Sequence, residues 1–367
     1  MEVHTILLHL SLIDKVGPAT VERFFQTLTA ASITDYSLVY SLSIQDLMYY
    51  GRLSQAAAQR IKEGLSDKVL LEKELNLIEH HGISVVTLID KEYPELLKAI
   101  HLPPLVLYIK GDPTILRSRA LALVGARKAD NYGTIVVKNI VPELVAQGWT
   151  LVSGGAIGID SMVHKATLDA QGNTIAVLGS GLLKPYPSSN IMLFKRIAEQ
   201  GAVISSFPLQ MNALAGNFPA RNRIIAGLSK GCIVVQAAQQ SGALITARYA
   251  LEQGREVMAV PGSIDNPLVA GCHALIQEGA SLVTSAHDIL SLLGEVYTAY
   301  KMQPLPIDDL KPVSTAEKIL SFLSCPLSFD ELLIKTGLSE SELRDILWDL
   351  QLEDRVTQDF MGLWSLS

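Results

Sequence analysis

Two arginines and an asparagine stand together in FPARNRIIAGLS, Phe218 to Ser229, directly ahead of an apolar run. A helix expected to begin near Asn222 would bury Ile224, Ile225 and Leu228 and leave Arg221 and Arg223 at its N-terminal edge. That end of a helix already carries partial positive charge, so two cations there cost stability unless an anion offsets them. The chemistry this segment points to is anion binding. Three other segments offer the backbone donors an oxyanion needs. LALVGARKADNYG carries Gly125 and Arg127; TLVSGGAIGIDSMVHKAT carries Ser153, Gly154, Gly155, Gly158 and Asp160; TIAVLGSGLLKPYPSSN carries Gly179, Ser180, Gly181 and Asn190. Glycine after a strand lets N–H groups approach an oxyanion, and the helix that follows adds its dipole. A fifth segment, QQSGALITARYALEQGR, adds Ser241, Gly242, Thr246 and Arg248. These loops predict a long rim that fits a phosphodiester backbone better than a single mononucleotide, with Tyr132, Tyr186 and Phe218 placed for base stacking.

Catalytic constellations are thin by comparison. Arg127 stands where the second glycine of a dinucleotide fingerprint belongs, and no Gly-Lys-Ser/Thr of a nucleotide hydrolase is present. Ser180 lies in Gly-Ser-Gly, which lacks the spacing of a nucleophile elbow. On spacing alone, His164 and Lys165 read as surface or helix-packing residues. Cys272 and His273 are adjacent, too close in sequence to share a metal. No enzyme activity, cofactor or metal is expected. The alternative is a nucleotide-processing enzyme of the phosphoribohydrolase type, for which Val260-Pro261-Gly262-Ser263 is a poor match to the Pro-Gly-Gly-x-Gly-Thr loop required.

The elements that would position these loops follow from the apolar pattern. Short runs at Leu121–Gly125, Thr150–Ser153, Thr174–Gly179, Cys232–Gln236, Glu256–Val260 and Ser281–Thr284 are continuously apolar, as expected of strands covered on both faces. Helical segments between most of them predict an α/β fold with a doubly wound parallel sheet. Two further strands are expected at Ile83–Ile89 and Leu105–Ile109, so the sheet domain spans 67–298. Ligands of such sheets bind beyond the carboxyl ends of the strands.

The flanks differ. Residues 1–66 read as short helices, with Val16-Gly17-Pro18 resembling a helix–hairpin–helix (SAM-like) turn or a plain αα-turn. A proline-rich linker is expected at 299–313. Residues 314–367 read as three helices and a hairpin, the order of a winged helix, yet the nominal recognition helix SESELRDILWDLQLED is acidic and a poor duplex reader. Net charge is −4 over 1–115, +3 over 116–298 and −6 over 299–367, so the middle segment alone has a cationic excess. No run approaches the roughly 20 apolar residues of a membrane span, and the start lacks a basic signal-peptide region. The three scattered cysteines point to a cytoplasmic setting rather than a disulfide framework.

The ordered motifs VGARKADNYG, SGGAIGID with His164, GNTIAVLGSGLLKPYPSSN, FPARNRIIAGLS, SGALITARYALEQGREVMAVPG and GCHALIQEGA resemble the DNA-processing protein A (DprA/Smf) family over nearly the whole chain. The resemblance implies an extended Rossmann-like domain that binds single-stranded DNA, a homodimer, and loading of the RecA recombinase onto DNA during natural transformation. Arg127 matches the arginine of Val-Gly-x-Arg, Ser153 to Asp160 the Ser-Gly-Gly-Ala loop, and Arg221, Asn222 and Arg223 the Arg-Asn-Arg motif. Arg127 and Arg223 are expected to contact phosphates, with Arg221 either joining them or bracing the loop. There are three departures. Ser206-Phe207-Pro208 replaces Ser-Glu-x-Pro, and Gln236 stands where glutamate is usual. Ser188, Ser189 and Ile191 occupy a stretch that commonly holds a basic residue, for which Lys184 or Lys195 can substitute.

Overall fold

The computed structural model describes residues 3–30, 36–297, 315–323, 326–353, 355–359 and 362–366. The expected linker at 299–313 lies outside the described residues. The chain divides into two units, Met1–Tyr300 and Lys301–Ser367.

The first unit is built on nine strands: β1 (Ser84–Thr87), β2 (Val106–Gly111), β3 (Ala120–Gly125), β4 (Thr150–Ser153), β5 (Thr174–Val177), β6 (Ala202–Ser205), β7 (Gly231–Gln236), β8 (Glu256–Ala259) and β9 (Ser281–Leu282). They lie in the order β1-β2-β6-β5-β4-β3-β7-β8-β9. The β1–β2 and β2–β6 pairs are antiparallel and every other pair is parallel. The sheet is therefore mostly parallel, as the continuous apolar runs predicted, and β3, β4, β5 and β7 are buried along almost their whole length. The strand β6 was not expected. Four residues, AVIS, give too short a run to be separated from the helix before them. The expected runs at 174–179, 256–260 and 281–284 end sooner in the structure, because their last residues turn into the loops that line the sheet edge.

Among the described residues, five α-helices precede β1: Val3–Leu12, Pro18–Ala30, Ile44–Gly51, Gln55–Ser66 and Lys68–His81. Pro18 opens the second of these, where its missing N–H costs nothing. Their apolar faces share one core with the outer strands, in which Ile6, Leu7, Leu47, Ile61, Val106, Tyr108 and Leu209 are buried. Glu74 is also buried here and accepts from the Leu209 amide at 2.7 Å, so the last of the five helices is fixed to the loop after β6.

The second unit contains helices Thr315–Phe322, Phe329–Thr336 and Glu340–Leu352 and a hairpin of β10 (Val356–Gln358) and β11 (Trp364–Leu366). Ile319, Leu332, Leu343, Leu347 and Val356 form its core. Part of its acidity has a local purpose: Glu331 and Glu342 close capping boxes with Ser328 and Ser339, placing negative charge where the helix dipole favours it.

Candidate nucleic-acid interface

The direction of chain growth reverses between β3 and β7: from β3 the sheet proceeds through β4 to one side, and β7 to β9 lie on the other. Loops that leave the carboxyl ends of neighbouring strands on either side of such a switch point must part, which opens a crevice. A 410 Å³ cavity occupies it, lined by Gly125 and Arg127 after β3, Ser241 and Gly242 after β7, and Arg221 and Asn222. A second cavity of 310 Å³ adjoins it, sharing Arg127, Lys128, Phe218 and Arg221 and adding Ile157 and Tyr186. Together they make a trough whose shared lining includes the cations Arg127, Lys128 and Arg221 and the Phe218 ring.

The helix carrying the arginines runs from Asn217 to Gly227, five residues earlier than expected near Asn222. Pro219 lies within its first turn, where proline is tolerated. Arg221 and Arg223 are consequently inside the helix and not at its edge. Two residues apart, they point some 200° away from each other. Arg221 is 6% exposed and turns inward, donating through Nη1 to the carbonyl oxygens of Val177 at 2.8 Å and of Gly154. A side chain on Gly154 would collide with this guanidinium and with Asp160 Oδ2, so close approach requires glycine there. Arg223 leaves the trough: it donates to the His101 carbonyl oxygen at 3.0 Å and lines neither cavity.

Arg127 is exposed, its guanidinium 5.7 Å from the centre of the Phe218 ring, and Arg221 approaches the same ring at 6.0 Å. Tyr186 meets Phe218 with ring centres 5.8 Å apart. The aromatic pair thus sits against both cations, a geometry in which a base can stack beside its own phosphate. Tyr132 does not join them; its hydroxyl donates to the Pro261 carbonyl oxygen at 2.6 Å.

Several expected site residues support the trough from below instead of facing it. Ser153 is buried and donates to the Leu123 carbonyl oxygen at 2.7 Å. Ser180 is fully buried, and Gly181 packs against the Pro208 and Leu209 carbonyls. Gly179 lies against the Phe218 ring and Gly155 against Phe194. Asn190 Nδ2 donates to the Gly155 carbonyl oxygen at 2.9 Å, tying two loops together. Gly158 has φ 88° and faces the carbonyls of Ala126 and Arg127, a conformation and an approach open only to glycine. Lys195 is exposed on the helix Ile191–Gln200 and lines neither cavity; Arg248 lines a separate groove. Ser241 caps the helix Gly242–Glu252, so its hydroxyl is engaged with the Ala243 amide.

Burial dominates the ionisable groups beneath the trough. It pushes the Asp160 carboxyl up, with the Arg221 charge opposing, and it lowers Arg221 in turn. His164, whose Nδ1 lies 2.7 Å from Thr174 Oγ1, is fully buried and pushed down to about 3, chiefly by burial and secondarily by Arg221. It is a packing residue, one of the two readings its spacing allowed. Among the described residues no group of three or more His, Cys, Asp or Glu side chains is arranged to hold a metal, and no helix is long and apolar enough to cross a membrane.

Comparison with known proteins bears on this geometry. The sequence profile of the DNA recombination-mediator protein A family matches residues 84–294. The DNA processing protein DprA of Bacillus subtilis is 44% identical over 231 residues, 63% of this chain and 78% of that protein. The X-ray structure of DNA processing protein A from Streptococcus pneumoniae aligns with a TM-score of 0.70 at 33% identity, covering 81% of this chain and 99% of that one. A second structure, reported for the single-stranded DNA binding mode of DNA processing protein A from Helicobacter pylori, aligns with a TM-score of 0.53 at 26% identity, covering 59% and 97%.

Proposed function

Because this chain belongs to the DNA recombination-mediator protein A family, we propose that its trough binds single-stranded DNA, with Arg127 on the phosphates and Phe218 and Tyr186 against the bases. The observation that carries this reading is the lining the two cavities share, which sets an exposed cation, a buried cation and an aromatic ring side by side, with Tyr186 against that ring. Duplex DNA hides its base faces and cannot use the aromatic pair, so single strands are preferred. The solved Helicobacter pylori relative, described by its single-stranded DNA binding mode, supports the assignment.

The protein acts by binding, without catalysis. His164 is fully buried and kept neutral, and the Asp160 carboxyl that borders the cavity has the Arg221 charge beside it and accepts from the Ala156 amide. As a recombination mediator it protects incoming strands and loads the RecA recombinase onto them during transformation. It works as a homodimer. Leu251, 70% exposed beside a 660 Å³ groove, and Leu282, 52% exposed on the edge strand β9, offer an apolar surface for self-association. The N-terminal helices serve as a helix–hairpin–helix (SAM-like) module and the second unit as a winged helix whose acidic third helix meets protein instead of duplex.

A mobility-shift comparison of single- and double-stranded oligonucleotides at about 50 and 200 mM salt tests the assignment. Preferential, salt-sensitive binding of the single strand is expected. Equal affinity for both forms would overturn it.

A further inference from the structure

Gln236, the last residue of β7, is fully buried and touches the segment 126–130 at both ends. Its backbone carbonyl accepts from the Ala126 amide at 2.7 Å. Its side-chain Nε2 donates to Asp130 Oδ1 at 2.7 Å, and its Oε1 accepts from the Asp130 amide at 3.4 Å. One residue therefore brackets Arg127, Lys128 and Ala129. Asp130 completes the clasp, accepting from the Gly133 amide at 3.0 Å as helix cap and from Asn266 Nδ2 at 2.8 Å. The Gly133 amide, ahead of the other contacts, holds the Asp130 carboxyl below its ordinary value.

We infer that Gln236 is the positioning residue for Arg127, and that its neutral amide keeps the Arg127 loop in one shape across the neutral pH range. The chemistry is one-sided. An ionised Asp130 can only accept, so its buried partner must donate; an amide does so at any pH, whereas a carboxylate does so only when protonated. A carboxylate in place of the amide would face Asp130 at hydrogen-bond distance, and two such groups share one proton. The inference rests on the DNA-binding reading for its function, but the clasp itself does not.

Other titratable groups near the pair do not confuse the test. Tyr132 and Cys272 are pushed up by burial, Cys272 to about 11, and stay neutral. Arg127 and Lys128 precede Asp130 in the loop, and Asp265, exposed beside Asn266, is held low by Ser263. His273, whose Nε2 lies 3.1 Å from the Gly262 carbonyl oxygen, and the buried Asp160 are common to wild type and variant, so their effects cancel in the comparison.

The test uses the full chain, a labelled oligothymidylate, and the variants Gln236→Glu and Asp130→Asn/Gln236→Glu, at about pH 5.5 and about pH 8 on either side of a shared-proton pair. Gln236→Glu is expected to bind about tenfold more weakly at the higher pH, beyond any change in wild type, and to recover at the lower. The double variant carries a single carboxylate and no shared proton, so its affinity should not change with pH; it stays below wild type, because Asp130 Oδ1 accepts from both Gln236 Nε2 and the Gly133 amide and an asparagine cannot serve both there. Thermal melts without DNA read the clasp separately: the paired carboxylates have a raised folded pKa, so the single variant loses stability as pH rises. Should it fail to fold at the higher pH, Gln236→Ala, which removes the clasp without adding charge, must weaken binding equally at both. A melt that shifts with pH while affinity follows wild type overturns the positioning role, and melts and affinities that both follow wild type overturn the clasp. Failure of wild type itself to bind oligothymidylate removes the DNA-binding reading and leaves the melts to judge the clasp.

Discussion

Arg221 hangs from Val177: its Nη1 donates to that carbonyl oxygen at 2.8 Å, at the end of β5 and beneath the trough. The same nitrogen reaches the Gly154 carbonyl, so one guanidinium fastens the helix Asn217–Gly227 to two loops of the sheet edge. Arg127, by contrast, is exposed. The two cations should therefore fail differently. Arg221→Ala strands two carbonyls and the Asp160 carboxylate in the interior and should lower stability by about 3 kcal/mol. Arg127→Ala should leave stability within about 0.5 kcal/mol while reducing the salt slope of oligonucleotide binding by about 0.7. Urea denaturation beside affinity measured against salt distinguishes them, and a large stability loss in Arg127→Ala would contradict its placement.

Arg223 gives the complementary expectation. Its guanidinium is committed to the His101 carbonyl on the far side of the helix. Arg223→Ala should cost about 1 kcal/mol of stability and leave the salt slope for single strands unchanged. A slope reduced to the same extent as in Arg127→Ala would mean that Arg223 reaches the strand after all.

The structure turns Arg223 away and sets Arg221 in the trough lining. Which arginine meets the trough was not legible in the sequence, where Arg127 and Arg223 read as the phosphate contacts and Arg221 as joining them or bracing the loop. The sheet was: β3, β4, β5 and β7 are covered on both faces, and a strand with no polar face advertises itself as an unbroken apolar run. The start of the helix was not. Gly216 supplies no side-chain cap, and Pro219 was the only start signal present, a first-turn proline that places the helix start before Arg221 and so sets both arginines inside it. Ser180 and Ser153 looked like donors because hydroxyls beside glycines often are, yet each lies inside the sheet edge. The Gln236–Asp130 clasp joins residues 106 positions apart, and no local pattern encodes it.

Self-association should depend on the exposed leucines at the β9 end of the sheet. A charge at Leu251 or Leu282 replaces apolar surface that would leave water on pairing, while neither position contributes to the folded interior. Leu282→Arg should therefore shift the protein from dimer to monomer in sedimentation equilibrium with melting unchanged. The proposed homodimer would present two troughs to one strand, so affinity for long oligonucleotides should fall at least about tenfold while affinity for short ones stays constant. An unaltered dimer would place the interface elsewhere.

The buried imidazole makes a prediction about acid. His164 ionises near 6.5 when unfolded and only near about 3 in the folded chain, where burial opposes the charge. Its folded value is depressed, so between those limits the unfolded state binds one more proton than the folded state. Stability contributed by keeping the ring neutral is present above the unfolded value and drains away as pH falls, by about 1.4 kcal/mol per pH unit below roughly pH 6. His164→Gln keeps a polar group near Thr174 Oγ1 but cannot take up a proton in this range. Urea denaturation between about pH 4 and about pH 8 should give the wild type one proton's worth of extra slope over the variant. Parallel pH profiles for the two proteins would show that the ring does not hold its neutral form in the fold.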